Sequence, residues 1–155
     1  MTGPHETHAR GPGWRDALAR GNGHARVLVV DDNPDIRRSL QRMVTSMGHT
    51  VRQAGSAEEA DQWMAMERFE ACLLDIELPR MSGVEFLDWA LSRDPTLAVI
   101  MLTGLDAPEL AIQCIDRGAR TYLVKPIDPE FLRLALRDAL AMRRLLRAAS
   151  DTPTP

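Results

Sequence analysis

Four short apolar runs in this chain each end in residues that can do chemistry. Val27-Leu28-Val29-Val30 ends in Asp31-Asp32, Ala71-Cys72-Leu73-Leu74 in Asp75, Ala98-Val99-Ile100-Met101-Leu102 in Thr103-Gly104, and Tyr122-Leu123-Val124 in Lys125-Pro126. A lone buried carboxylate is costly unless it is paired or bound to metal, so Asp75 belongs at the mouth of its run. Three carboxylates brought together repel one another and raise their pKa values. A hard dication relieves the repulsion, and Mg²⁺ favours a few carboxylates, several waters and phosphate oxygens. With Lys125 alongside, metal and ammonium together would neutralise a transferring phosphoryl group. Asp75 would then be the nucleophile, forming an acyl phosphate. Each residue alone has a plainer role. Asp31 and Asp32 would be helix-capping loop acids, Thr103 the start of a turn, Lys125 a surface lysine and Tyr122 a half-buried strand residue. Only the set points to phosphoryl chemistry.

These residues need elements to bring them together. The first strand spans Arg26 to Asp31, and Asn33 caps a helix with Pro34 at its first position, where a missing N–H costs nothing. Ile36, Leu40, Met43, Val44 and Met47 follow at helical spacing, and Gly48 ends the run. Thr50 to Ala54 reads as a second strand. Ser56-Ala57-Glu58-Glu59 is a capping box for a helix with Ala60, Trp63 and Met64 inward. The third strand is Glu70 to Asp75. Ser82-Gly83-Val84-Glu85 is a second capping box, with Phe86, Leu87, Ala90 and Leu91 behind it, and Pro95 ends that helix. The fourth strand is Leu97 to Leu102. A helix from about Asp106–Pro108 packs Leu110, Ala111, Cys114 and Ile115 and stops at Gly118. The fifth strand is Thr121 to Val124, and Asp128-Pro129 opens a last helix to about Ala149. Five βα units in succession predict a doubly wound parallel sheet with helices on both faces. In such sheets, sites form at the C-terminal strand ends.

With 155 residues and 45% apolar content the chain suits one domain of ordinary size. The excess of 22 acids over 19 bases argues against a strongly basic nucleic-acid-binding domain. Cys72 and Cys114 read as free thiols in a reducing compartment. No stretch suits a membrane span and no apolar signal segment opens the chain, so a cytoplasmic protein is expected. Residues 1–24 read as a flexible extension, 25–149 as the domain with an extended last helix, and 150–155 as a tail. Trp14 to Arg20 has the length for one or two helical turns. His5, His8 and His24 are too scattered for a metal site. Met43, Met47, Met64 and Met66 read as core or near-core filler.

Across about residues 25 to 147 the chain resembles the receiver domain of bacterial two-component response regulators, in its chemotaxis-regulator-like form. The resemblance rests on Asp31-Asp32, on Leu74-Asp75 to Pro79 with Met81-Ser82-Gly83, on Thr103-Gly104 and on Lys125-Pro126, in order at successive strand ends. It implies a flavodoxin-like five-stranded sheet of order 2-1-3-4-5 with five helices. It implies Asp75 as phosphoacceptor, Asp31 and Asp32 as the acidic pair for Mg²⁺ (or Mn²⁺), Asp32 directly and Asp31 through water, and the backbone carbonyl of Glu77 as a further ligand. Thr103 and Tyr122 match the switch pair, Lys125 the amine that meets the phosphoryl group, and Pro126 the proline of a cis peptide bond. The family's partners are a histidine kinase or phosphotransfer protein upstream and a protein target downstream, with no direct nucleic acid or membrane contact expected here.

The match has departures. Leu78 stands where the family often has Met, and Gly104 for a common Ala suggests close backbone approach in a looser loop. Glu77 and Leu105 flank the path of hydrolytic water, so phosphoryl lifetime should differ. Rival readings are an aspartate-nucleophile phosphohydrolase, a phosphorylation-independent pseudo-receiver and an Mg²⁺-independent nucleotide-binding domain. The first lacks its usual second Asp two residues on. The intact site residues oppose the second, and the missing Gly-rich cradle opposes the third. The last helix has a broad apolar face from Leu132 to Leu146, with Arg133, Arg137, Arg143, Arg144 and Arg147 against Glu130 and Asp138. It reads either as an ordinary amphipathic helix with cations near its C-terminus or as a docking helix, including a homodimer through the helix 4–strand 5–helix 5 face.

Overall fold

Strand and helix alternate throughout: β1 (Arg26–Val30), α1 (Pro34–Ser46), β2 (Thr50–Ala54), α2 (Ala57–Met66), β3 (Ala71–Asp75), α3 (Gly83–Arg93), β4 (Ala98–Thr103), α4 (Pro108–Asp116), β5 (Thr121–Val124) and α5 (Pro129–Asp151). The computed structural model describes residues 24–104 and 108–151. The expected N-terminal extension, its helical turns, His5, His8 and the start of the fourth helix before Pro108 lie outside the described residues, as does Leu105. All strand pairs are parallel, in the order β2-β1-β3-β4-β5.

The central strands are apolar throughout because both of their faces are covered. Leu28, Val30, Cys72, Leu74, Val99 and Met101 point to one face, where Ala57 and Ala60 of α2, Phe86, Leu87 and Ala90 of α3, and Ala111 and Cys114 of α4 cover them. The alternate residues Val27, Val29, Leu73, Ile100 and Leu102 meet Leu40 and Val44 of α1 and Leu132, Leu136 and Leu140 of α5. Each such side chain, fully buried, contributes about 1.5–3 kcal/mol. Both cysteines are free and buried.

The caps follow the sequence with one change. Asn33 accepts from the N–H groups of Asp35 and Ile36, and Ser82 and Glu85 complete a reciprocal box. At α2 the box is only half formed. Ser56 accepts from the Glu59 N–H, but Glu59 reaches past the cap to the N–H of Gly55. Gly48 and Gly118 end α1 and α4 with positive φ, of 95° and 117°.

Four other expectations need correction. Met66 is 73% exposed at the end of α2, too late in the helix to reach the sheet. On α4, Ala111 and Cys114 are buried but Leu110 and Ile115 are each 39% exposed, because so short a helix covers the sheet with a narrow stripe. Arg143 is not a surface cation. It is buried, donating to Asp94 Oδ2 at 3.1 Å and Thr96 Oγ1 at 2.7 Å. Helix α5 continues to Asp151, two residues beyond its expected end, so Ser150 is helical and not part of a tail.

Candidate functional site

Register assembles the site. Val30 pairs with Leu74, Asp75 with Leu102, and Thr103 with Val124, so the four strands end at nearly one level. The next residue on β1 is Asp31, β3 ends on Asp75, β4 ends on Thr103, and Lys125 follows β5. Carboxylate oxygens of Asp31, Asp32 and Asp75 lie within 4.8 Å of one another. Lys125 Nζ donates to Asp31 Oδ2 at 2.7 Å and to Asp75 Oδ2 at 3.1 Å. A cation thus already bridges the two buried acids.

Local bonds hold each acid. Asp31 is fully buried, and its Oδ1 accepts from the Asn33 N–H at 2.9 Å. Asp75 Oδ1 accepts from the Glu77 N–H at 3.0 Å. Asp32 is exposed and, among the described residues, its carboxylate has no hydrogen-bond or ion-pair partner. Burial pushes the Asp75 carboxyl up to about 6, and the charge of Asp31 adds to this against the bonds from Glu77 and Lys125. Burial acts to lower the Lys125 ammonium, but its bonds to Asp31 and Asp75 outweigh this and hold it above its ordinary value. This hard, all-oxygen set with one solvent-facing carboxylate fits a small dication that keeps part of its water shell.

The remaining predicted residues fall nearby. Thr103 is buried, its hydroxyl donating to the Gly104 carbonyl at 3.1 Å. Tyr122 is half-buried against the α2–α3–α4 core. The Lys125–Pro126 peptide is cis. Glu77 is exposed beside Asp75. Gly104 does not mark a close approach, since among the described residues a Cβ there meets nothing within 4 Å.

Two supports were not singled out from sequence. Gly83, read only as part of a cap and motif, lies against the backbone of Asp75 and Ile76, and its N–H donates to the Ile76 carbonyl at 2.9 Å. Arg37 donates from Nη1 to the Asp31 carbonyl at 2.6 Å. Its only sequence signal is position, one turn into the helix that follows the acidic pair. Arg80 closes the β3–α3 loop at φ 65°, a left-handed conformation unusual for a side-chain-bearing residue.

Known proteins share this fold. The family model for the response regulator receiver domain matches residues 27–137. The chain is 36% identical over 118 residues to the response regulator protein PilR of Pseudomonas aeruginosa, covering 76% of this chain and 26% of PilR. It is 35% identical over 127 residues to the alginate biosynthesis transcriptional regulatory protein AlgB of Pseudomonas syringae, covering 82% of this chain and 28% of AlgB. A receiver domain structure from Clostridium thermocellum superposes with a TM-score of 0.75 at 29% identity, covering 79% of this chain and 98% of that one. NtrX from Brucella abortus does so with 0.81 at 33%, covering 85% and 30%. The chain belongs to the response regulator receiver domains, the phosphorylation-driven switches of two-component systems. It spans about a quarter of the length of PilR and AlgB. These likenesses give no support to the phosphohydrolase or pseudo-receiver readings.

Proposed function

We propose that Asp75 accepts a phosphoryl group from a histidine kinase or phosphotransfer protein and that Lys125, Thr103 and Tyr122 convert this into a change of surface. The observation that carries the reading is the bridging of Asp31 and Asp75 by Lys125 Nζ, with Asp32 beside them. Asp75 supplies the attacking oxygen, and the donor's P–N bond breaks as the O–P bond forms. Lys125 leaves the Asp75 carboxylate for a phosphoryl oxygen, so a positive partner for the new charge is in place before transfer. Asp31, Asp32, Asp75 and the Glu77 carbonyl would hold Mg²⁺ (or Mn²⁺), which when bound neutralises phosphoryl charge. Thr103 gives up its bond to Gly104 and turns toward the phosphoryl group, and Tyr122 moves into the space left. That biases the α4–β5–α5 face between two states.

Two surfaces suit the partners. A groove of about 400 Å³ lined by Ile36, Leu40, Met43, Lys125, Pro126 and Ile127 adjoins the site, where a donor must dock. On the α4–β5–α5 face, Ile112, Ile115, Val124, Met142 and Leu145 expose apolar surface that suits a downstream protein or a second copy in a homodimer. What this face offers is a protein contact, and residues from about 25 to the end of α5 act as the receiver domain. AlgB is by name a transcriptional regulatory protein, but only 28% of it is matched, so the likeness bears on the receiver alone. No helix among the described residues is long and apolar enough to cross a membrane. Catalysis is confined to the domain's own phosphorylation and dephosphorylation.

The test is labelling by acetyl phosphate with Mg²⁺. Wild type should gain one phosphoryl group, Asp75→Asn none, and Asp32→Ala should label slowly with weakened Mg²⁺ binding. Equal labelling of wild type and Asp75→Asn would remove the assignment.

A further inference from the structure

We propose that Arg37 is a positioning residue for the acidic cluster: by holding the main-chain carbonyl of Asp31, it fixes the peptide that aims the Asp32 carboxylate at an incoming dication. The inference rests on the phosphoacceptor reading above.

Asp31 is held on every side. Its N–H donates to the Ala54 carbonyl at 3.1 Å, its Oδ1 accepts from Asn33 and its Oδ2 from Lys125. Its carbonyl lies one residue beyond the last paired position of β1, so the sheet ladder does not reach it. Arg37 Nη1 supplies the bond at 2.6 Å. A peptide unit is planar, so fixing the Asp31 C=O also fixes the N–H and Cα of Asp32. Asp32 needs this, because among the described residues no partner orients its carboxylate.

Arg37 is itself braced. Its Nε donates to Gln53 Oε1 at 3.3 Å, and the Gln53 amide reaches Gln41 on α1. The Gln53 carbonyl accepts from Trp63 Nε1 at 3.0 Å, and the Arg52 guanidinium lies 5.1 Å from the Trp63 ring centre. Thus Gln53 of β2, itself held by Gln41 of α1 and Trp63 of α2, braces the guanidinium, whose rigid planar fork suits a two-point hold. A Cβ on Gly55 would sit 3.1 Å from Arg37 Nη1, so the residue after β2 is one that leaves the fork its room.

Position and charge predict opposite results. As a nearby cation, Arg37 repels a dication, so removing its charge alone would tighten metal binding. As a brace, its loss would weaken binding. The probe is Mn²⁺ alone, titrated into the unphosphorylated full chain, with free Mn²⁺ counted by electron paramagnetic resonance. Arg37→Met should bind Mn²⁺ about tenfold more weakly, in the range seen when groups that orient metal ligands are removed. Arg37→Lys, which keeps the charge but not the fork, should recover only part of this. Gly55→Ala, which crowds the guanidinium without removing it, should weaken binding by a few fold. Labelling of Arg37→Met by acetyl phosphate should return toward the wild-type rate at saturating Mn²⁺, as a lost binding determinant requires and general destabilisation does not. Wild-type or tighter Mn²⁺ binding by Arg37→Met overturns the proposal. If circular dichroism shows Arg37→Met unfolded, Gly55→Ala decides, and unchanged affinity there overturns it. If wild type itself binds no Mn²⁺ or takes no label, the phosphoacceptor reading fails with it. Normal wild-type behaviour beside an unaffected Arg37 variant removes only the role of Arg37.

Discussion

Replacing Gly83 by Ala should damage both stability and phosphorylation, although helix propensity favours Ala. Gly83 is the first residue of α3, where that preference, about 1 kcal/mol in a helix interior, would stabilise the variant. The structure opposes it. A Cβ on Gly83 would lie 2.7 Å from Ile76 Cα and 2.9 Å from the Asp75 carbonyl carbon, with the Asp75 carbonyl oxygen closer still. Carbon atoms settle at about 3.5–4.0 Å, so roughly 1 Å of movement is needed. Both sides are backbone, and no flexible side chain can yield. Either α3 retreats, straining the Gly83–Ile76 hydrogen bond, or the end of β3 shifts and takes Asp75 with it. Overpacking of this kind costs about 1–3 kcal/mol, a fall in Tm of roughly 4–15 °C for a domain of this size. A misplacement near 1 Å at a reacting group costs on the order of 100-fold in rate. Thermal melts and acetyl phosphate labelling at fixed Mg²⁺ read the two effects. A variant as stable as wild type that labels at the wild-type rate refutes the argument.

The other predictions concern the site and its frame. Glu77→Ala should change the rate of dephosphorylation at least severalfold, roughly 1 kcal/mol in barrier, with little change in Mg²⁺ affinity, because the proposed ligand is the backbone; identical decay rates would contradict this. Burial raises the Asp75 carboxyl to about 6 from an ordinary 3.8, so its contribution to stability is present below the lower value and lost as pH rises through the higher one. A dication binds the ionised form, so the rise in Tm produced by Mg²⁺ should be small near about pH 5 and larger near about pH 7, and equal shifts at both would refute it. Arg143→Met should cost about 1–2 kcal/mol in urea denaturation at neutral pH. Burial would raise Asp94, but its bonds from Thr96 and Arg143 outweigh this and hold it low, so that contribution is lost as pH falls through the lowered value. The gap between wild type and Arg143→Met should narrow in acid, and a constant gap would argue against the ion pair.

Much of this molecule was legible residue by residue. Continuous apolar runs identified β1, β3 and β4, because strands covered on both faces need no alternation. Asn33, Ser82 and Asp128 marked helix starts through short-range bonds that depend on only a few neighbouring residues. Even β2, with little apolar pattern, has the span its residues suggested, Thr50–Ala54. The acids, hydroxyl and amine at the strand ends were visible because a charge that closes an apolar run has few structural uses. Strand order came through resemblance to a family, not from spacing.

What tertiary structure decided are contacts between distant residues. Lys125 meets Asp31 across 94 positions and Arg143 meets Asp94 across 49. Nothing local distinguishes Arg143 from Arg144, one buried and the other exposed; the difference is which side of α5 faces the α3–β4 turn. Leu110 and Ile115 have the periodicity of core residues, yet a helix of nine residues cannot bury its whole apolar arc. Arg37 and Gly83 become informative only when sheet register sets the backbone of Asp31 and Asp75 beside them. Local sequence fixes which groups stand at a strand's end, whereas their mutual distances depend on the order and register of strands far apart in the chain.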